Sequence, residues 1–143
     1  MSFSIDIPNL EPLLDALARY PQLAEPILHR ATDQALINLV PDLAHYPPEL
    51  PRQRYVRTGD LGEGWTDAQP QWQSIASGFE GSIDNPVAYG PDVQGHLTQA
   101  RIHSGRWQTD QAIVEAHALE TEAIYDKALQ AIADAIDAQA GTP

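Results

Sequence analysis

The chain has 143 residues, 43% of them hydrophobic and 20% charged, which is the size and balance of one globular domain able to bury a real core and not of a disordered segment. A formal net charge of -12 and a pI near 4.5 exclude the basic footprint of a general nucleic-acid binder or a binder of anionic membranes; an acidic wall that faces DNA without gripping it stays compatible. With no cysteine there is no disulfide framework, thiolate zinc site or cysteine nucleophile, and the redox compartment is unreadable.

The start, Met1 to Pro8, has neither a basic lead nor a long apolar run, and no apolar segment of membrane-spanning length follows, so the chain reads as a cytosolically made, soluble protein. Asn9 can cap a helix on which Leu10, Leu13, Leu14 and Leu17 recur at i, i+3, i+4 and i+7, with Pro12 tolerated in the first turn. Tyr20-Pro21 ends or kinks it. A second helical pattern runs from about Gln22 to Ala44, with Leu28, Ala31, Ala35, Leu39 and Leu43 on its core side, and Pro41 is expected to bend or break its last turn.

From His45 to Arg57 three prolines, Pro47, Pro48 and Pro51, exclude helix and favour an extended, semi-rigid arm. Three of the chain's eight basic residues, Arg52, Arg54 and Arg57, lie in this arm. Either they pair with the protein's own carboxylates or they meet a partner. Thr58 to Gly64 reads as turn chemistry, Trp65-Thr66 opens a strand region, Trp72 to Phe79 (with Ile75, Ser77 and Phe79 in register) is a second strand, and Gly81 to Asn85 a third. Val87 to Gly95 is a short helix or an irregular segment, and Leu97 to His103 returns as a last strand. Thr109 or Asp110 then caps a long helix to about Ala138, with Tyr125, Leu129, Ile132 and Ile136 as its apolar stripe and Glu115, Glu120, Glu122, Asp126, Asp134 and Asp137 making the rest acidic.

The expected fold is a single α+β domain, a small antiparallel β-sheet of three or four strands packed by N-terminal helices and a long C-terminal helix. The organisation is 1–45 helical, 46–107 loop and sheet, 108–139 helix.

Signals for catalysis are thin. No two of the five histidines stand at the i, i+4 spacing of paired helical metal ligands, and no nucleophile elbow, phosphate loop or dinucleotide fingerprint occurs. His96 and His103, flanking the last predicted strand, and the carboxylates Asp60, Glu63, Asp84 and Asp92 are the remaining candidates for acid/base work. No cofactor is implied.

The order of features in the middle of the chain resembles the neck, head-tail joining and tail-completion proteins of long-tailed bacteriophages. A helical segment precedes a Pro-rich loop ending in Arg57-Thr58-Gly59-Asp60-Leu61; strands follow, then Asn85-Pro86-Val87-Ala88-Tyr89, then Val93-Gln94-Gly95, then a C-terminal helix. In that family a Thr-Gly-x-Leu element leads into the first strand, and an Asn-x-x-x-Tyr-Ala element precedes an acidic or amide residue and a glycine. Here Gly90 replaces the alanine, Gln94 holds the acidic position, and the family's aromatic-proline element is reduced to Trp107.

The resemblance implies a non-enzymatic structural virion protein. It would form a homo-oligomeric ring, often six-fold, at the neck or tail terminus, as a tail terminator or completion protein does. Such a ring joins the head connector, through its adaptor or stopper, to the tail tube and leaves a channel through which DNA passes without specific binding. It is made in the host cytoplasm and ends in the virion, with no membrane partner. The implied interface residues are Arg52, Arg54, Tyr55, Arg57, Tyr89, Gln94 and Trp107. Ring closure needs heterologous contacts, which a stiff arm, open sheet edges and arginines facing a neighbour's acidic helix can supply. Either the carboxylates or the arginine loop faces the channel. The alternative is a small soluble adaptor module whose Pro/Arg-rich loop grips one acidic protein partner.

Overall fold

The computed structural model describes residues 10–76 and 78–141. Among them six helices and one two-stranded antiparallel sheet form an α+β chain: α1 (Leu10–Arg19), α2 (Pro21–Leu43), α3 (Asp60–Thr66), β1 (Gln71–Ile75), β2 (Gly78–Ser82), α4 (Gly90–Gln94), α5 (Asp110–Ala116) and α6 (Ala118–Ala140). No helix among the described residues is long and apolar enough to cross a membrane. Two compact units emerge: a hairpin unit of residues 10–37, Pro70–Ser82 and 118–141, and a loop unit of Asn38–Gln69 and Ile83–His117.

The hairpin unit is built on helical periodicity. Leu13 of α1, Ala24, Leu28, Ala31 and Ala35 of α2, and Tyr125, Ala128 and Ile132 of α6 form one buried cluster, with Leu17, Leu129 and Ile136 packed against it. Leu10 and Leu14 stay exposed, so the stripe on α1 is narrower than its leucines imply, and its expected cap Asn9 lies outside the described residues. α1 and α2 are separated by Tyr20 alone. Its carbonyl accepts from the N–H groups of Leu23 and Ala24, and Pro21 takes the first helical position, where a missing N–H costs nothing.

The β-hairpin pairs Gln71 with Ser82 and Trp72 with Gly81. A Cβ on Gly81 would lie 2.9 Å from both the Trp72 ring and the Thr32 methyl, so only glycine lets that ring lie across the strand. Trp72 also stacks on His29 of α2, with centroids 4.2 Å apart and planes 10° from parallel.

In the loop unit the end of α2 supplies Leu39 and Leu43, both buried with Leu61, Trp65, Ile83, Ile113 and Val114. All five α2 residues expected on the core side are buried, and Pro41 sits within the helix without ending it. From His45 to Arg57 neither helix nor strand forms, as the prolines require.

Four expectations need correction. Trp65-Thr66 does not open a strand: Gly59 adopts φ 92°, its carbonyl accepts from the Glu63 N–H at 3.0 Å, and α3 follows with Asp60 and Glu63 in its first turn, where negative charge suits the helix dipole. Trp72 to Phe79 is not one strand but a hairpin, with Ser77 outside the described residues.

Leu97 to His103 is not a strand but a run of turns laced back onto α4. The Ala100 N–H donates to the Asp92 carbonyl at 2.7 Å, and the Thr98 hydroxyl donates to Pro91 at 2.7 Å. The sheet therefore has two strands among the described residues, not three or four. The C-terminal helix is interrupted at His117, whose N–H is shared between the carbonyls of Ile113 and Val114 at 3.2 Å each; its ring Nε2 meets the Asp42 carboxylate at 2.7 Å. Thr109 is the N-cap of α5, its hydroxyl accepting from Ala112 at 3.2 Å.

Candidate protein-binding groove

The loop unit carries a groove of about 460 Å³, whose lining includes Tyr46, Tyr55, Val56, Arg57, Tyr89, Ile102, His103 and Trp107. Its floor begins with Tyr46, the last residue before the double proline. The Tyr46 hydroxyl accepts from the Gly62 N–H of α3 at 2.9 Å, and its ring meets Trp107 edge-on with centroids 5.1 Å apart. Gly62 permits this approach: a Cβ there would stand 3.4 Å from the Tyr46 ring and 3.3 Å from the Ala44 carbonyl.

Arg57 closes the arm onto this pair. Its guanidinium carbon lies 5.6 Å from the Tyr46 ring centroid and 5.4 Å from that of Trp107, and Nη1 donates to the Pro47 carbonyl. Its Nε and Nη2 are shut off from water with no hydrogen-bond acceptor among the described residues, so the two negative ring faces are what compensates the buried cation. Arg57 thus fastens the arm to its own chain.

Arg52 and Arg54 differ. Both are exposed, and neither forms an ion pair among the described residues. In a chain of net charge -12 these two cations are thus not spent on any carboxylate among the described residues. Arg52 moreover sits at φ 69°, an uncommon setting for a side-chain-bearing residue, which marks the sharp bend of the arm after Pro51.

The rim is apolar where a surface is usually polar. Val56 is 88% and Ile102 67% exposed, with Tyr55 and Tyr89 more than a third exposed beside them. His103 stands edge-on to Trp107; burial, helped by the Arg106 guanidinium and opposed by Asp92, holds its imidazole below its ordinary value and so favours the neutral ring.

Four of the seven expected interface residues, Tyr55, Arg57, Tyr89 and Trp107, are brought together here. Gln94 is not at a surface. Only 1% exposed, it accepts from the Trp65 indole N–H at 2.9 Å and donates to the Leu43 carbonyl at 2.8 Å, joining α4, α3 and the end of α2. Tyr46, Val56 and Ile102 were not singled out by sequence; the signal available was an aromatic abutting Pro47-Pro48, and apolar residues inside segments rich in turns.

Of the acid/base candidates only His103 and Asp92 share the groove; Asp60 and Glu63 are exposed in the first turn of α3, and Asp84 is exposed beyond β2. His96 pairs through Nδ1 with Asp110 at 2.9 Å, and the same carboxylate oxygen accepts from the backbone N–H groups of His96 and Gln111, an arrangement that ties the α5 start to the loop before it. Among the described residues no three histidine or carboxylate side chains converge on a point that would hold a metal ion.

No family model, curated protein or solved structure matches the chain.

Proposed function

We propose that the protein is a structural assembly component of a tailed phage, building a ring at the neck or tail terminus that joins the head connector to the tail and leaves a passage for DNA. What carries this reading is the groove. An aromatic and aliphatic cleft with exposed Tyr55, Val56, Tyr89 and Ile102 on its rim, next to two arginines without an ion pair among the described residues, is the signature of a surface that is covered by another protein. The ordered motifs Arg57-Thr58-Gly59-Asp60-Leu61, Asn85 to Tyr89 and Val93-Gln94-Gly95 support the placement at a phage neck. Their residues frame this same cleft: Thr58, Gly59, Leu61, Tyr89 and Val93 all line it.

The exposed carboxylates Asp134 and Asp137 in the second half of α6 support a passage wall that repels phosphate. A smaller role as a soluble adaptor gripping one acidic partner draws on the same groove. Native mass and negative-stain imaging separate the two, measured from micromolar to millimolar protein, alone and with purified connector and tail-tube proteins. Closed rings of one copy number support the neck reading. A monomer under every condition, with no ring on either template, overturns it in favour of the adaptor.

A further inference from the structure

We propose that the groove is filled by the α6 helix of a second copy, with that helix's Leu119 as the inserted side chain and its Glu122 and Asp126 facing Arg52 and Arg54. The proposal rests on the assembly reading above and names the partner surface.

Leu119, in the first turn of α6, is 82% exposed, whereas among the described side chains no other large apolar one of the hairpin unit exceeds 48%. A leucine held in water on a regular helix is apolar area that burial against a partner would recover. On the same helical face, three, four and seven residues on, stand Glu122, Ala123 and Asp126. Alanine at the fourth position leaves the backbone able to approach closely, and the two carboxylates, for which no ion pair is found among the described residues, flank the knob.

The groove offers the complement. Its volume of about 460 Å³ and aromatic walls suit one leucine and the helical turn that carries it. Arg52 and Arg54, on the arm that runs directly into the Tyr55-Val56 rim and without an ion pair among the described residues, bring two positive charges where the helix brings two negative ones. The contact is heterologous, because the groove and the α6 knob are different surfaces of one chain. Repeated around an axis, such a contact closes a ring; unclosed, it gives a filament. No third protein is needed to supply the acid.

The native chain has no cysteine, so thiol cross-linking has no background. Val56→Cys and Leu119→Cys are made as separate proteins, both at exposed positions where the fold is insensitive. They are mixed near 1 mM and treated with a short bismaleimide. A Val56→Cys with Leu119→Cys heterodimer exceeding both homodimers, and exceeding the pairing of Val56→Cys with Asp137→Cys at the far end of α6, is expected.

Adding Arg52→Glu and Arg54→Glu to the first protein should cut that yield by about tenfold, and adding Glu122→Arg and Asp126→Arg to the second should restore it. A yield no higher than the Asp137→Cys control, or one indifferent to the charge swap, overturns the proposed seam. The native mass of the unaltered protein decides the assembly reading separately. Rings without this cross-link leave that reading standing with a different seam, and the cross-link without rings keeps the contact while rejecting closure.

Discussion

The indole N–H of Trp65 donates to the side-chain oxygen of Gln94 at 2.9 Å, both side chains being within the loop-unit core. Because the Gln94 amide also donates to the Leu43 carbonyl at 2.8 Å, one side chain satisfies two buried polar groups from separate elements. Gln94→Leu fills a similar volume but leaves the Trp65 donor and the Leu43 acceptor unpaired. The expected loss is about 2–4 kcal/mol, read as a lowered urea midpoint. An unchanged midpoint would return Gln94 to the interface role that the motif resemblance gave it.

The three arm arginines should separate in the same assay. Arg57→Ala removes a cation seated against two rings and a hydrogen bond to Pro47, and is expected to cost about 1–2 kcal/mol. Arg52→Ala and Arg54→Ala, at exposed positions without ion pairs among the described residues, should stay within about 0.5 kcal/mol of the parent while weakening self-association. Equal losses for all three would show that Arg52 and Arg54 also fasten the arm.

Why the arm was legible and its anchor was not follows from the range of the forces. Prolines dictate backbone locally, so the absence of helix and strand from His45 to Arg57 could be read directly. The seating of Arg57 against Tyr46 and Trp107 depends on two rings that only the tertiary fold brings together. Periodicity likewise revealed Leu28, Ala31, Ala35, Leu39 and Leu43 of α2, and Tyr125 and Ile132 of α6, because a 3.6-residue repeat is a local signal of burial. It missed α3: glycines at 59, 62 and 64 read as a turn, whereas Gly62 and Gly64 lie inside a helix because neighbours press against it. The same local rules misjudged 97–103, where hydrogen bonds to α4 override the strand pattern and leave Leu97 and Ile102 outward.

His103 should make the fold acid-sensitive. Burial, with Arg106 nearby, holds its folded-state pKa below the ordinary 6.5, so in acid the unfolded chain binds more protons than the folded one. The contribution is complete above about pH 6.5 and is lost as pH falls through the lower folded value. His103→Gln should therefore flatten the dependence of melting temperature on pH between about 7 and 5. A parallel curve displaced by a constant amount would assign the loss to packing against Trp107 instead.

Tyr125 has the opposite window. Burial pushes its hydroxyl above the ordinary 10.0, a shift only partly offset by the 2.6 Å hydrogen bond with Thr32. A raised folded pKa means that the contribution is present below pH 10 and disappears as the pH climbs past the folded value. Tyr125→Phe should lose about 1 kcal/mol at neutral pH, where the hydrogen bond is intact, yet decline less in strong base. Unfolding curves of the two proteins would then converge above pH 10. Curves that stay a constant distance apart would mean that the hydroxyl ionises without penalty.

Gly64→Ala tests whether α3 is a helix because of its neighbours. A Cβ at Gly64 would come within 2.3 Å of the Asn85 side-chain oxygen and 2.9 Å of its Cγ. Asn85 has nowhere to go: its Nδ2 donates to the Leu61 carbonyl at 2.8 Å and its Oδ1 accepts from the Val87 N–H at 3.0 Å. The variant must move the helix or break those bonds, at about 2–4 kcal/mol. Gly59→Ala, with φ 92° but no atom within 4 Å of the added carbon, meets backbone strain alone, about 1–2 kcal/mol. The discriminating measurement is a double-mutant cycle with Asn85→Ala. If contact is the cause, removing Asn85 cancels most of the Gly64→Ala penalty and none of the Gly59→Ala penalty. Additive losses at both positions would instead trace the Gly64 effect to the helix backbone itself.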